Sequence, residues 1–526
     1  MTLRHWLLER AERTPESAAL VCSGRQWSYR ELADVALRRA RELRRAGVRD
    51  GDCVAVWLPN SFAAVVLFYT VSLCGARFLP LHPRAVAAEV VSPLRTASAA
   101  FLIADSERVA PAAEVVRDLT HVRCGLAQPD GSVEWHGEAC SGVDVPLCER
   151  INLSSTLAIL LTSGTTGEAK AARLSYANFL WSAVASAFHM GALPSDRWLL
   201  CLSLCHVGGL SILVRSLLAG GAVILHERFN AEAVNEIIDR DGVTLLSCVP
   251  TMLHRLLAVR GERAAPTSLR AVLLGGAPAP PTLLAAARDL RFPVLSSYGL
   301  TETTSQIATA PFERRYDRHA AALAPLFGAE VRVVDAQGRK LPRGGEGEIW
   351  VRGPMLMQGY ACAESGAIDT ARAETVEAGD ATETDATVMA GEAAGLGDDG
   401  WFATGDWGTL DAAGFLRVCD RREDRILSGG ENVSPVEVEA VLAEHPGVRD
   451  VAVAGLPDIE WGRRVAAWIV CAGSTPLAVE ELDRHCRSRL AAFKRPREYR
   501  FVLELPRTRS GKLRRNTLPE LEPGVS

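Results

Sequence analysis

Between about residues 150 and 300, short apolar runs of β type alternate with longer helical patterns, and no other feature limits the fold as strongly. LAILL (157–161), WLLCLSL (198–204), AVILH (222–226), VTLLSCV (243–249), LRAVLLG (269–275) and PVLSSYG (293–299) read as strands. GGLSILVRSLLAG (208–220), AEAVNEIIDR (231–240), PTMLHRLLAV (250–259) and PAPPTLLAAARDL (278–290) read as the helices between them. Such alternation predicts an α/β fold with a parallel sheet covered on both faces. Ligands of such sheets collect beyond the carboxyl ends of the strands. The polar material stands there: LTSGTTG after LAIL, His206 after WLLCLSL, Gly275 and Gly276 after VLL, and YGLTE after PVLSS.

The first 150 residues repeat the pattern, with CVAVWLP and FLIAD as strands and SFAAVVLFYTVSLCGA as a helix, which predicts a second βα layer. EVRVVD, GEIWVRG and MLMQGY, between 330 and 360, predict a small β-rich subdomain. Residues 361–399 are dominated by small and acidic residues and read as a mobile, solvated insertion. After DRREDR (420–425), two helical patterns and three strands make a small α+β unit, so the expected division is 1–420 and 421–526.

Composition removes several functional classes. A net charge of −5, with basic residues scattered, leaves no nucleic-acid footprint. The first 20 residues read as a charged amphipathic helix without the apolar core of a signal peptide, and the run GGLSILVRSLLAGGAVIL is broken by Arg215. A cytoplasmic protein without a membrane span is expected. The 13 cysteines contain no C-x-x-C pair. Cys201, Cys205 and His206 have the look of a metal cluster, but a strand carrying buried thiols accounts for them as small core residues.

LTSGTTGEAK (161–170) invites comparison with a P-loop and fails it, because Glu168 and Ala169 separate Gly167 from Lys170 and Ala171 follows. A phosphate role survives on chemistry: Gly164 and Gly167 allow close backbone approach, and Thr162, Ser163, Thr165 and Thr166 offer hydroxyls. Alone, the loop fits an ordinary connector as well. Glu302 beside such a loop suits Mg²⁺, which takes one or two protein carboxylates plus phosphate oxygens. Tyr298 offers a flat face for a base or packs in the core; Asp406 in T-G-D suits a ribose diol or stabilises its own turn. Ser434 and Pro435 read as a helix N-cap and first turn, and Lys512 as a lysine on a Ser-Gly turn.

Taken in order, LTSGTTGEAK, YGLTE, TGD, DRREDRILSGGENVSP and PRTRSGK resemble the successive motifs of the adenylate-forming superfamily: acyl-CoA synthetases, adenylation domains and luciferase-like enzymes. Within it, LCHVGGLSILVRSLLAGG, SSYGLTETTSQ and ILSGGENVSP are most similar to the o-succinylbenzoate–CoA ligases of menaquinone synthesis. The resemblance implies a two-step reaction using ATP, Mg²⁺ and coenzyme A, through an acyl-adenylate to a thioester.

It also implies roles. Residues 162–167 and Lys170 would hold the β- and γ-phosphates, Thr301 the α-phosphate and Glu302 the metal. Gly275, Gly276, Ala277, Tyr298 and Gly299 would form the adenine slot, with Asp406 and Arg421 on the ribose. Lys512 would act over the α-phosphate, and rotation about Glu423 and Asp424 would replace it with the turn around Gly430. Glu423 stands where the superfamily carries Asp. His206, Gly208, Gly209, Ser305 and Gln306 would shape the acyl pocket, and Arg215 would meet the second carboxylate of an o-succinylbenzoate, unless its head reaches solvent along the aliphatic stem.

Three other readings share parts of this pattern: another aryl- or fatty-acyl-CoA synthetase, a free-standing enzyme loading a carrier protein, and a non-catalytic nucleotide-binding relative. The expected partners are small molecules, and homo-oligomer formation is left open by the sequence.

Where the superfamily continues P-K-G, this chain has Ala169, Lys170 and Ala171. Losing the proline and the second glycine predicts a functional but looser phosphate loop. Ala169→Pro is expected to lower the KM for ATP in a pyrophosphate-release assay, and an unchanged or higher KM counts against this account.

Overall fold

The computed structural model describes residues 1–135, 145–162, 170–316, 322–361, 399–421, 426–428, 431–458, 462–473, 477–487, 489–490, 492–508 and 513–521. The predicted alternation appears as two layered sheets, and of the 150–300 strands LAILL joins the sheet built mainly from the first 150 residues. The first has eight strands in the order Tyr360–Ala361, Lys170–Ser175, Thr156–Thr162, Arg77–Pro80, Cys53–Trp57, Ala99–Ala104, Arg123–Ala127 and Val133–Trp135. The second has nine, running from Ala324–Pro325 through Ser305–Thr309, Val294–Leu300, Ala271–Leu274, Leu245–Cys248, Arg197–Leu200 and Ala222–Leu225 to Ala18–Cys22 and Arg25–Ser28. The strand before the phosphate loop therefore belongs to one sheet, and the strand before YGLTE to the other.

The helix Phe62–Leu73 is apolar on every side and buries eleven of its twelve residues. A helix without a polar face has no place at a surface. Its residues share one core with Val54, Val56 and Phe78 of the first sheet and with Leu199, Ile224 and Leu273 of the second, so the two sheets close over common helices. The amphipathic helix Tyr29–Arg45 joins that core by Leu32, Ala36, Ala40 and Leu43, and Ser28 starts it with a full capping box to Glu31.

The β-rich subdomain expected at 330–360 is an antiparallel sheet in which Glu330–Val334 and Glu346–Arg352 are joined by the later strands Phe402–Leu410 and Leu416–Arg421. MLMQGY contributes to it less than predicted: only Tyr360 and Ala361 are strand, and they pair with the first sheet. The N-terminal segment is also not one helix. Thr2–Arg4 pairs with Arg150–Asn152, the helix covers Trp6–Arg13, and Ala18–Cys22 is a strand.

The C-terminal residues build a separate sheet from Glu431–Val433, Ile426–Ser428, Gly462–Cys471, Val448–Asp458 and Glu498–Phe501. Its two apolar clusters are drawn entirely from residues 426–521. Ser434 accepts the Glu437 amide at 3.2 Å with Pro435 in the first turn, as the N-cap reading predicts. Among the described residues no helix is long and apolar enough to cross a membrane. The cysteines described are free thiols, most of them buried.

Leu67 lies at the centre of the helix between the sheets and is fully buried. Leu67→Ala is expected to cost about 2–5 kcal/mol, read as a lower denaturant midpoint by circular dichroism.

Candidate active site

Strands Arg197–Leu200, Leu245–Cys248, Ala271–Leu274 and Val294–Leu300 run parallel, so the segments after them share one edge of the second sheet. The last of these strands makes the tightest turn. Thr301–Thr303 form a single 3₁₀ turn, Thr304 and Ser305 take positive φ of 49° and 89°, and Ser305–Thr309 returns antiparallel. Two such residues in succession are held by hydrogen bonds rather than by preference. Thr303 Oγ1 accepts the Leu300 amide at 2.8 Å, and Thr304 Oγ1 donates to the Met355 carbonyl at 2.7 Å. Gly299 is required by space: a Cβ there would lie 1.7 Å from the Ser305 carbonyl oxygen.

This turn carries Glu302, 8% exposed, whose Oε1 accepts the Tyr360 hydroxyl at 2.7 Å and whose carbonyl accepts the Met357 amide at 2.8 Å. Burial, then the Glu302 carboxylate, push Tyr360 well above the usual phenol range, so the hydroxyl stays a donor. Tyr360 pairs with Ala172, the neighbour of the hairpin mouth where Thr162 faces Lys170, and the Lys170 ammonium lies 5.1 Å from the Tyr360 ring. One tyrosine thus touches both the rim of the phosphate loop and the candidate metal carboxylate. Reading MLMQGY as strand alone overlooked it; its place at the border of the acidic insertion was the available signal.

Tyr298 projects from the same strand and donates its hydroxyl to Asp406 Oδ2 at 2.7 Å. It is half-buried and tied to the β-rich subdomain. T-G-D is not a turn but part of the strand Phe402–Leu410, at a register shift against Glu346–Arg352: the Asp406 amide donates to Thr404 Oγ1 at 3.1 Å, and the Gly405 amide to Glu348 at 3.2 Å. Asp406 is buried and faces Arg421 in the strand register. The Arg421 side chain lies outside the described residues. Gly275 continues the edge, its amide donating to the Cys248 carbonyl at 3.2 Å; Gly276 has φ +82°, and Ala277 is exposed.

His206 is the N-cap of helix Val207–Ala219. Its ring edge is open to solvent, yet the protein around it disfavours the imidazolium and lowers its pKa. Gly208 and Gly209 form the first turn; at Gly209 a Cβ would fall 2.3 Å from the Ser203 carbonyl oxygen, so glycine lets the preceding turn lie against the helix. The strand read at WLLCLSL covers only Arg197–Leu200, and Cys205 stands in the turn before the helix, which corrects the reading of a strand carrying these thiols; Cys201 is not part of the cluster, and His82, which follows the first-sheet strand Arg77–Pro80, is. Burial pushes the Cys205 thiol up to about 11.

Arg215 does not reach solvent. It is 6% exposed, donates to Ser182 Oγ at 3.1 Å and lies 5.9 Å from the Trp198 ring, while Ser182 donates to the Thr304 carbonyl at 2.7 Å. Among the described residues no carboxylate pairs with it, and its buried Nε has no partner. Burial lowers its pKa to about 9, so it stays charged near neutrality. Ser305 opens the returning strand, and Gln306 is buried with its amide donating to Thr309 Oγ1 at 2.9 Å. Ser163, Gly164, Thr165, Thr166, Gly167, Glu423, Asp424, Gly430, Lys512 and nearly all of the 361–399 insertion lie outside the described residues.

The chain belongs to the AMP-binding enzyme family, whose model matches residues 7–361; the family's C-terminal domain matches residues 437–512. Among its relatives, the 2-succinylbenzoate–CoA ligase of Bacillus licheniformis is 37% identical over 98% of this chain and 99% of that protein. The enzyme of the same name from Bacillus subtilis is 36% identical over 99% and 98%. The fold superposes with a TM-score of 0.86 on the o-succinylbenzoate CoA synthetase of Bacillus subtilis in complex with its acyl-adenylate intermediate, at 34% identity over the whole of both chains. A complex of that enzyme with ATP and magnesium ion matches with a TM-score of 0.84, covering 99% of this chain and 100% of that one.

Gly299→Ala forces the Val294–Leu300 and Ser305–Thr309 strands apart. The expected loss is at least about 3 kcal/mol, beyond ordinary overpacking, together with loss of ATP binding, measured by thermal melting with and without ATP.

Proposed function

We propose that the protein is an ATP-dependent carboxylate–CoA ligase that activates o-succinylbenzoate in menaquinone biosynthesis, working in the cytoplasm on small-molecule substrates. The observation that carries the reading is the continuous set of contacts from Lys170 through Tyr360 to Glu302, and from the same strand through Tyr298 to Asp406. It supports phosphate, metal and ribose roles for groups drawn from neighbouring sheets, and the relatives matched across the whole chain are named for this acid.

In the first step, a carboxylate oxygen of the acid attacks the α-phosphorus of ATP and the bond to the bridging oxygen breaks, releasing pyrophosphate. Residues 162–167 and Lys170 hold the departing phosphates, and Thr301 contacts the α-phosphate. Glu302 fits a magnesium site, because it is buried and Tyr360 orients one carboxylate oxygen. Bound there, the ion would neutralise phosphate charge. Asp406 and Arg421 hold the ribose, and Tyr298 and Gly299 line the adenine slot with Gly275, Gly276 and Ala277. Lys512 adds positive charge where negative charge grows on the α-phosphate.

In the second step, the sulfur of CoA attacks the acyl carbonyl and the bond to AMP breaks. The separate apolar clusters of residues 426–521 support a C-terminal unit, 421–526, that reorients about Glu423 and Asp424 to exchange Lys512 for the turn around Gly430. His206, Gly208, Gly209, Ser305 and Gln306 shape the acyl pocket. Arg215 supplies the cation for the second carboxylate; a buried guanidinium without a carboxylate partner is the complement such a group requires.

A CoA-thioester assay comparing o-succinylbenzoate with benzoate and medium-chain fatty acids tests the substrate. The aromatic diacid is expected to be strongly preferred, with the preference lost in Arg215→Ala; faster turnover of fatty acids and an indifferent Arg215 overturn the assignment. Lys512→Ala is expected to slow pyrophosphate release by about 10²–10³-fold at an unchanged melting temperature.

A further inference from the structure

We propose that His82, Cys205 and His206 form a binding site for a thiophilic divalent cation of the Zn²⁺ or Cd²⁺ class, between the turn that opens helix Val207–Ala219 and the segment after strand Arg77–Pro80, and made of residues other than the candidate magnesium ligand Glu302. One ligand atom from each of the three residues lies within 4.8 Å of the others. The two segments that bring them together are both anchored on the strand Cys53–Trp57 and the residues just after it. Asn60 accepts the Leu204 amide at 3.0 Å and donates to the Leu202 carbonyl at 2.8 Å, fixing the turn that carries Cys205 and His206. The Trp57 indole donates to the His82 carbonyl at 3.1 Å, and the Leu81 amide to the Val56 carbonyl at 2.9 Å, fixing the other segment.

The donor set selects the metal. Two imidazoles and a thiolate suit Zn²⁺ and its heavier congener, whereas Mg²⁺ takes oxygen ligands. Metal–ligand bonds of about 2.0–2.3 Å in a tetrahedron place ligand atoms about 3.3–3.8 Å apart, so rotation of the three side chains closes the site without moving the backbone. Binding releases the Cys205 proton to solvent and leaves Sγ as the anionic ligand, beside a Ser203 hydroxyl 3.1 Å away that can donate to it. The Arg84 amide now donates to His82 Nδ1 at 3.1 Å, and ligation of His82 exchanges this bond for the metal. Three protein ligands leave a fourth position for water or a substrate carboxylate. On the reading that His206 lines the acyl pocket, occupancy obstructs entry of the acid.

The test uses the full-length enzyme, freed of added thiols and titrated with Co²⁺ alone. A thiolate-to-cobalt charge-transfer band, with visible bands of tetrahedral intensity, is expected to saturate at one equivalent, to vanish in Cys205→Ser and no longer to saturate at one equivalent in His82→Gln. Absence of the band in wild type, or its survival in Cys205→Ser, overturns the site; if Cys205→Ser does not fold, an unchanged titration in His82→Gln does so. In a second arm, Zn²⁺ is added to the pyrophosphate-release assay in the absence of CoA. Inhibition competitive with the acid is expected in wild type and its loss in Cys205→Ser, which keeps adenylation. Inhibition that persists unchanged in that variant overturns the site. Cobalt spectra as expected, with zinc inhibition that is not competitive with the acid, uphold the site and overturn the placement of His206 on the acyl wall.

Discussion

The hydrogen bond from Tyr360 to Glu302 joins parts of the chain that sequence order keeps far apart. Tyr360 is paired to the first sheet beside the hairpin of the phosphate loop, and Glu302 closes a strand of the second. A buried carboxylate accepting a phenol, whose pKa is raised by burial and by that same carboxylate, is a well-defined donor–acceptor pair in a low-dielectric setting. The Tyr298–Asp406 bond does the same for the β-rich subdomain. Two tyrosine hydroxyls thus set the spacing between groups drawn from three sheets.

Much of this was legible in the sequence, for physical reasons that can be named. Strands such as Leu245–Cys248 and Ala271–Leu274 are buried along their whole length and read as unbroken apolar runs. The helix Phe62–Leu73 announces its burial through its lack of charged residues. The glycines at 208, 209 and 299 stood inside quoted motifs, and at two of them the backbone of a neighbour occupies the place of a side chain. The assignment of strands to two sheets was not legible, because an apolar run carries no information about which apolar run lies beside it. Tyr360 and His82 were missed for a related reason: each acts on a residue more than 50 positions away, and nothing local distinguishes such a side chain from a packed one.

Arg215 illustrates how geometry narrows a choice that sequence leaves open. An arginine in an apolar helix can extend its head to water or accept burial, and the two have opposite consequences. Here the head is buried against Ser182 and Trp198, and the positive charge is set next to the strained Thr304–Ser305 turn through the Ser182 bridge to the Thr304 carbonyl. Arg215 and the turn that carries Glu302 are therefore connected through one hydroxyl.

The helix Phe62–Leu73 also bears on how the molecule comes apart. Since each of its sides is covered by apolar neighbours, neither large sheet can lift away without presenting a bare hydrocarbon surface to water. Partial opening along that seam is disfavoured, and the two sheets are bound to lose their structure as one cooperative unit. The N-terminal region is then a single folding entity despite its two sheets, and a cut between them would yield fragments that aggregate rather than two smaller domains.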